Sequence, residues 1–282
     1  MIAPAILAGK LARHLHVPST PETRHIKLMQ YEPLIIQLRA LKLTGMADAF
    51  EQQLEQPGTH DDLSFTERLS LMIDRESTSR TNTRVTRLLK AAQLKLQAHP
   101  EDVNYRHPRN LHKSVFAGLL SCQWIVGHQN VLITGPTGCG KTYLACVLAT
   151  QACRQGYSVR YFRTSRLLEA LSIAHGDGRF AKLIAQLART DVLLLDDFGL
   201  EKMTLAQRND VLELMEDRHG SRCTVVTSQL PVHQWHEAIG DPTLADAILD
   251  RLIHHSHRLD LDGKSMRALN QKKPSATDQA DH

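Results

Sequence analysis

Residues Gly135-Pro136-Thr137-Gly138-Cys139-Gly140-Lys141-Thr142 set glycines, a lysine and a hydroxyl at the spacing G-x-x-x-x-G-K-[ST]. An apolar run, Val131-Leu132-Ile133, precedes them, and a helix-like run, Tyr143-Leu144-Ala145-Cys146-Val147-Leu148, follows. Strand, glycine-rich loop and helix in that order form a phosphate-binding P-loop. Its glycines let consecutive backbone N–H groups turn inward on a phosphate chain, and the helix N-terminus adds partial positive charge. Lys141 is placed to reach β- and γ-phosphates, and the Thr142 hydroxyl to ligate Mg²⁺. Cys139 occupies a variable position of the loop and reads as a small space-filling side chain.

A second constellation follows. Val192-Leu193-Leu194-Leu195-Asp196-Asp197 is an apolar strand ending in two carboxylates. A carboxylate at the lip of a buried strand is costly unless a metal or hydrogen-bond donors neutralise it. Beside a P-loop this is the Walker B pattern, with Asp196 in the Mg²⁺ shell and Asp197 orienting or activating an attacking water. The second acid favours hydrolysis over transfer to a small acceptor. Thr224-Val225-Val226-Thr227-Ser228-Gln229 is a strand ending in polar residues. Thr227 or Ser228 is available to hydrogen-bond a γ-phosphate or the attacking water; a simple strand-end cap is the alternative. Arg251 lies in the helical run Leu244–Leu252. It suits either a surface ion pair with Asp250 or another acid, or presentation to a neighbouring subunit's γ-phosphate. The histidines His254, His255 and His257, and the pair His233 and His236, match no convincing metal pattern.

These side chains need a scaffold. Strand-like runs at Asn130–Ile133, Val159–Phe162, Val192–Asp196, Thr224–Thr227 and His257–Leu261 alternate with helical stretches, which predicts a parallel sheet between helices. Phosphates then bind at the carboxyl ends of the strands. From Tyr31 to about Gln97 the periodicity is helical. Leu34, Leu38 and Leu41 share one face; Met46, Phe50 and Leu54 share another after a break at Gly45. Ser64-Phe65-Thr66-Glu67 is a capping box that starts a further helix. Its stripe continues through Val85, Leu88, Leu89 and Ala92, and Pro100 ends it. The expected organisation is a flexible extension over 1–28, a helical domain over 29–110, an ATPase domain over 111–264 and a polar tail over 265–282.

Charge separates along the helical part. Acids dominate between Tyr31 and Asp74, whereas from Arg75 to Lys113 nine basic residues face Glu76, Glu101 and Asp102. Arg80, Arg84 and Arg87 share a helix face, with Lys90 close by, and form a stripe suited to a nucleic-acid backbone. The net charge of +4 over 282 residues permits such a partner. The five cysteines show no C-x-x-C pairing, and no apolar run approaches a membrane span, so a cytoplasmic protein without disulfides is expected.

The chain resembles the IstB family of helper ATPases in insertion-sequence transposition, which are similar to DnaC and DnaA among the AAA+ proteins. The resemblance runs from about Met29 to Arg267. It rests on Asn130–Ala145, on Leu193-Leu194-Leu195-Asp196-Asp197-Phe198-Gly199-Leu200, and on Glu216-Asp217-Arg218-His219-Gly220 leading to Thr227-Ser228-Gln229-Leu230-Pro231-Val232. Asp241–Leu252, Gly263-Lys264-Ser265-Met266-Arg267 and the opening Leu41-Lys42-Leu43-Thr44-Gly45-Met46 complete it. The segment before Met29 departs from the family pattern, as does the lack of a long helical lid.

The resemblance implies an α/β AAA+ P-loop NTPase with a five-stranded parallel sheet, order 5-1-4-3-2, behind a small all-helical N-terminal domain. It implies ATP and Mg²⁺ as cofactors, Thr227 or Ser228 as first sensor, Arg251 as arginine finger and Arg267 as a second sensor. It also implies a homo-oligomer with ATP between subunits that assembles on double-stranded DNA and recruits and stimulates its transposase. Competing expectations are a DnaC-like helicase loader, a small-molecule kinase and a nucleotide-switched interaction protein.

Overall fold

The computed structural model describes residues 21–60 and 62–263, with their side chains except those of 21–29 and Pro57. The chain divides into two compact units between Thr83 and Arg84, within the long helix α4.

In the first unit, α1 (Pro21–Ala40), α2 (Thr44–Glu55), α3 (Pro57–His60) and the start of α4 (Phe65–Ala92) follow one another. The described part of α1 runs from Pro21 and spans the expected domain start at Met29. The predicted capping box forms: Ser64 N–H donates to Glu67 Oε2 at 2.7 Å, and Glu67 N–H to Ser64 Oγ at 3.3 Å. Gly45 does not break a helix; it lies inside α2, where an added Cβ would stand 2.7 Å from Glu76 Cα. Its role is close approach to α4, and the chain turns instead at Lys42, φ 60°. Buried Glu76 accepts the Met46 N–H at 3.1 Å and so serves one of the unpaired donors at the start of α2. Among the predicted stripe residues, Leu34 and Leu41 are exposed and neighbouring Ile35 is buried.

The second unit is a sheet between helices. Its elements are α5 (Lys113–Leu120), α6 (Gln123–Val126), β1 (Asn130–Thr134), α7 (Lys141–Arg154), β2 (Val159–Arg163), α8 (Thr164–Gly176), α9 (Phe180–Arg189), β3 (Val192–Asp196), α10 (Leu205–Arg218), β4 (Cys223–Ser228), α11 (Trp235–Ile239), α12 (Pro242–Ile253) and β5 (Ser256–Asp260). All strand pairs are parallel in the order β2-β3-β4-β1-β5, the expected order counted from the other edge. Strands β1, β3 and β4 are buried along their whole length, which is why they read as continuous apolar runs. One core cluster holds Val131, Leu144, Leu148 and Val225; another holds Leu132, Leu193, Val226 and Trp235.

The end of α4 belongs to this second unit. Ala92 is part of its core, and Leu88, Leu89 and Leu94 pack against it. Arg84 Nη2 donates to the Gly156 carbonyl at 2.9 Å and Arg160 Nη1 to the Ala91 carbonyl at 2.7 Å. The division therefore falls earlier than the expected 110: helical periodicity marks an apolar face but not which core receives it.

Arg218 is buried at the amino ends of β3 and β4. It donates to the carbonyls of Leu187 (2.6 Å), Thr190 (2.8 Å) and Cys223, and to Thr224 Oγ1 (3.2 Å). Burial lowers its pKa to about 10, still well above neutrality, so a charged staple ties two strands.

Candidate nucleotide site

The P-loop connects β1 to α7 at the carboxyl end of the sheet. Gly135 has φ +141°, and a Cβ there would fall 2.3 Å from the Leu261 carbonyl oxygen, so only glycine fits. Lys141 begins α7, and its ammonium donates to the loop carbonyls of Gly135 (2.7 Å) and Pro136 (2.9 Å). Thr137 Oγ1 donates to Gln229 Oε1 at 2.7 Å, joining the loop to the end of β4. Cys139 is fully buried in the core, in keeping with a space-filling role.

Asp196 is the hub. Its Oδ1 accepts from Thr142 Oγ1 (2.7 Å) and Thr227 Oγ1 (2.5 Å). Its Oδ2 accepts from the Tyr161 hydroxyl (2.7 Å) and from Lys95 Nζ (3.3 Å). Burial pushes this carboxyl's pKa up, but the hydroxyls of Thr227, Thr142 and Tyr161 and the charge of Lys95 outweigh it. The group is held below the usual carboxylate range, and so ionised at neutral pH. A Thr hydroxyl against an ionised carboxylate is a hard-oxygen donor set, which fits Mg²⁺. Burial first, and then the bond to Asp196, drives the Tyr161 phenol strongly upward.

Asp197 follows in the left-handed region, φ 60°, an uncommon conformation for a residue with a side chain. Its N–H donates to Thr227 Oγ1 at 3.1 Å, and its carboxylate pairs with Arg163 at 3.2 Å. Thr227 thus links both acids. Ser228 does not share this place: its hydroxyl donates to the Phe198 carbonyl (2.7 Å) and accepts from Leu230 N–H (3.1 Å). Gly138, Lys141, Thr142 and Asp197 share a cleft of about 640 Å³ with Lys95, Arg163 and Gln229.

Sequence reasoning missed Tyr161, Arg163, Gln229 and Lys95. Arg163 carries a usable signal, since it ends β2 and pairs in register with Asp196. Lys95 carries none, lying 101 residues from its partner.

Arg251 lies elsewhere. Its carbonyl accepts from Asn130 Nδ2 at 2.9 Å, at the amino end of β1. The P-loop leaves the other end of that strand, roughly 13 Å away at ~3.3 Å per residue. The guanidinium pairs with Glu216 of α10 and donates to the Ala247 carbonyl at 2.7 Å. The bond to Glu216 raises its pKa. An ion pair with "another acid" is therefore what the single chain shows, with Asp250 farther at 4.0 Å. Of the basic stripe, Arg80 pairs with Glu76 at 2.6 Å and Arg84 holds Gly156, while Arg87 and Lys90 are exposed. Arg267 lies outside the described residues, as do 1–20 and the whole of the expected tail over 265–282.

The five cysteines are buried and unpaired; burial pushes the Cys153 thiol up to about 12, leaving it inert at neutral pH. Among the described residues, no group of His, Cys, Asp or Glu forms a metal cluster, and no helix is long and apolar enough to cross a membrane.

A P-loop whose threonine meets a strand-end aspartate, on a parallel sheet of this order, defines an AAA+ nucleoside-triphosphate-binding protein. Residues 36–275 match the IstB-like ATP binding protein family, and the chain belongs to that family. An insertion sequence ATP-binding protein of Sinorhizobium fredii is 47% identical over 247 residues, covering 88% of this chain and 100% of its own. The IS1162 ATP-binding protein of Pseudomonas fluorescens is 51% identical over 204 residues, 72% of this chain and 88% of its own. The fold is similar to AMPPCP-bound DnaA from Aquifex aeolicus (TM-score 0.52, 16% identity, 64% of this chain and 56% of that one). It is also similar to DnaI (TM-score 0.50, 17% identity, 62% and 93%).

Proposed function

We propose that the protein is a Mg²⁺-dependent ATPase that assembles on double-stranded DNA and recruits and stimulates the transposase of its insertion sequence, with hydrolysis releasing the assembly. The observation that carries the catalytic part is the continuous hydrogen-bonded set Thr142–Asp196–Thr227–Asp197 beside the P-loop. The P-loop backbone, Lys141 and Thr142 hold the triphosphate. Thr142 and Asp196 hold the metal, which when bound neutralises developing charge on the phosphate oxygens. Asp197 orients the attacking water, and Thr227 couples its position to that of Asp196. Ser228, tied to Phe198, supports the strand end instead.

Arg251 acts on a neighbouring subunit's nucleotide. The strand between it and its own P-loop is longer than an arginine side chain, so an arginine finger here works only across an interface. Glu216 holds the guanidinium until that interface forms. Arg84, Arg87 and Lys90, with Arg80, meet DNA phosphates, which gives largely sequence-independent, salt-sensitive binding. Arg267 is proposed as a second nucleotide sensor. The transposition setting is supported by the relatives, whose names place them in insertion sequences.

Electron microscopy of the protein with duplex DNA and a non-hydrolysable ATP analogue tests this reading. Ordered assemblies that need both ligands, and that disperse when ATP is hydrolysed, are expected. Monomers under every condition overturn the assembly. Phosphate transferred to a small acceptor, in place of free phosphate, overturns the hydrolysis.

A further inference from the structure

The Walker B carboxylate already has a cation on it. Lys95 lies just beyond α4, after Gln93, whose φ of 52° turns the chain. Its ammonium stands 3.3 Å from Asp196 Oδ2; its side chain is 44% exposed, whereas Asp196 is fully buried. The backbone that presents it is fixed: the Ala91 carbonyl accepts from Arg160, Ala92 is buried, and Leu94 packs on the core. Only the lysine side chain is placed to swing. The other three donors to Asp196, namely Thr142, Thr227 and Tyr161, are neutral hydroxyls.

We propose that Lys95 is a further residue of the nucleotide site, whose ammonium stands in for the divalent cation at Asp196 and competes with Mg²⁺ for that carboxylate. This rests on the assignment of Asp196 to the metal shell. An unneutralised carboxylate in that buried position would be costly, and Lys95 supplies the missing charge. An ammonium on Oδ2 and a divalent ion held beside Thr142 on Oδ1 would share one carboxylate and repel each other, so each weakens the other's hold. The exposed lysine stem lets the ammonium move off into the cleft it shares with Lys141 and Thr142. Metal binding therefore works against the Lys95–Asp196 pair, and the end of the basic helix α4 is chemically linked to occupancy of the ATP site.

The test is binding of a fluorescent ATP analogue to the full chain, without DNA, as Mg²⁺ is titrated in from an EDTA baseline. Lys95→Met keeps the aliphatic stem and removes the charge; it should lower the Mg²⁺ midpoint roughly 3–5-fold, the upper end of the scale for one half-exposed ion pair. Lys95→Arg keeps the charge and should stay within about twofold of the parent protein. A midpoint in Lys95→Met that is unchanged or raised overturns the competition, as does an equal shift in Lys95→Arg. Asp196→Ala separates the two layers. If it leaves the midpoint unmoved, the metal assignment fails and the proposal with it. If it moves the midpoint while Lys95→Met does not, only the role of Lys95 is lost.

Discussion

The two ends of the parallel sheet are built on opposite plans. At the carboxyl end, loop, strand tips and α4's exit converge, and the two acids at the end of β3 are met by Thr142 after β1, Tyr161 and Arg163 on β2 and Thr227 on β4. At the amino end, Arg218 is buried and fully used within the fold, whereas Arg251 is partly exposed and its closest acid is the exposed Glu216. A group wired into its own chain is structural or pre-organised. A charged group held by one replaceable surface partner is free to be handed to another molecule. The difference teaches that one chain gathers the proposed triphosphate-binding groups at one end of the sheet and carries its proposed arginine finger at the other.

Breaking the amino end should have the largest effect. Arg251→Ala is expected to lower ATP turnover by about 10³-fold while nucleotide affinity stays near that of the parent, measured by phosphate release and analogue binding. Mixing Arg251→Ala with Lys141→Ala sharpens the comparison. Each variant is inactive alone, but mixed assemblies pair an intact P-loop with an intact Arg251, so partial activity should return; no recovery in stable mixed assemblies sinks the intersubunit site. Breaking the carboxyl end at Asp197→Asn should reduce turnover by about 10²-fold and leave the protein trapped with ATP on DNA, visible as slow release. Removing the exposed charges with Arg87→Ala and Lys90→Ala should reduce the slope of log affinity for duplex DNA against log salt by about 2, and an unchanged slope removes these residues from the DNA face. The smallest functional effect is expected in the helical unit. Gly45→Ala forces a Cβ against α4 and should cost that unit about 1–3 kcal/mol in stability, read by thermal melting, with ATP affinity unchanged.

Much of the carboxyl end was legible because its signals are local. A phosphate loop needs glycines and a lysine in consecutive positions, and a buried strand ending in two acids announces itself. The parallel order of the sheet also followed from alternating strand and helix runs together with the family resemblance. What escaped was long-range. Lys95 and Asp196 meet across the chain, with no spacing rule connecting them. Tyr161 looks like an ordinary strand residue until β2 pairs with β3, and the position of Arg163 at a strand end gains its meaning only from that register. In the helical part, periodicity locates α4 but not its use: Leu88 and Leu89 pack against the core around the sheet. It also placed Leu34 and Leu41 on a core-facing stripe where Ile35 is the buried residue, since a thin helical unit buries only part of any apolar face. Gly45 was read as a breaker because glycine weakens helices, yet closeness of two helices required it.

By itself the sequence determined the phosphate loop, the two strand-end acids, the class of sheet and the family, because each depends on neighbouring residues or on patterns along one element. Only the tertiary structure decided that Thr227 rather than Ser228 joins the two acids, that Arg251 and the P-loop stand at opposite ends of a strand, and that a lysine from just beyond α4 rests on the Asp196 carboxylate. Those facts are distances between segments brought together by burial of the sheet, and no local pattern encodes them.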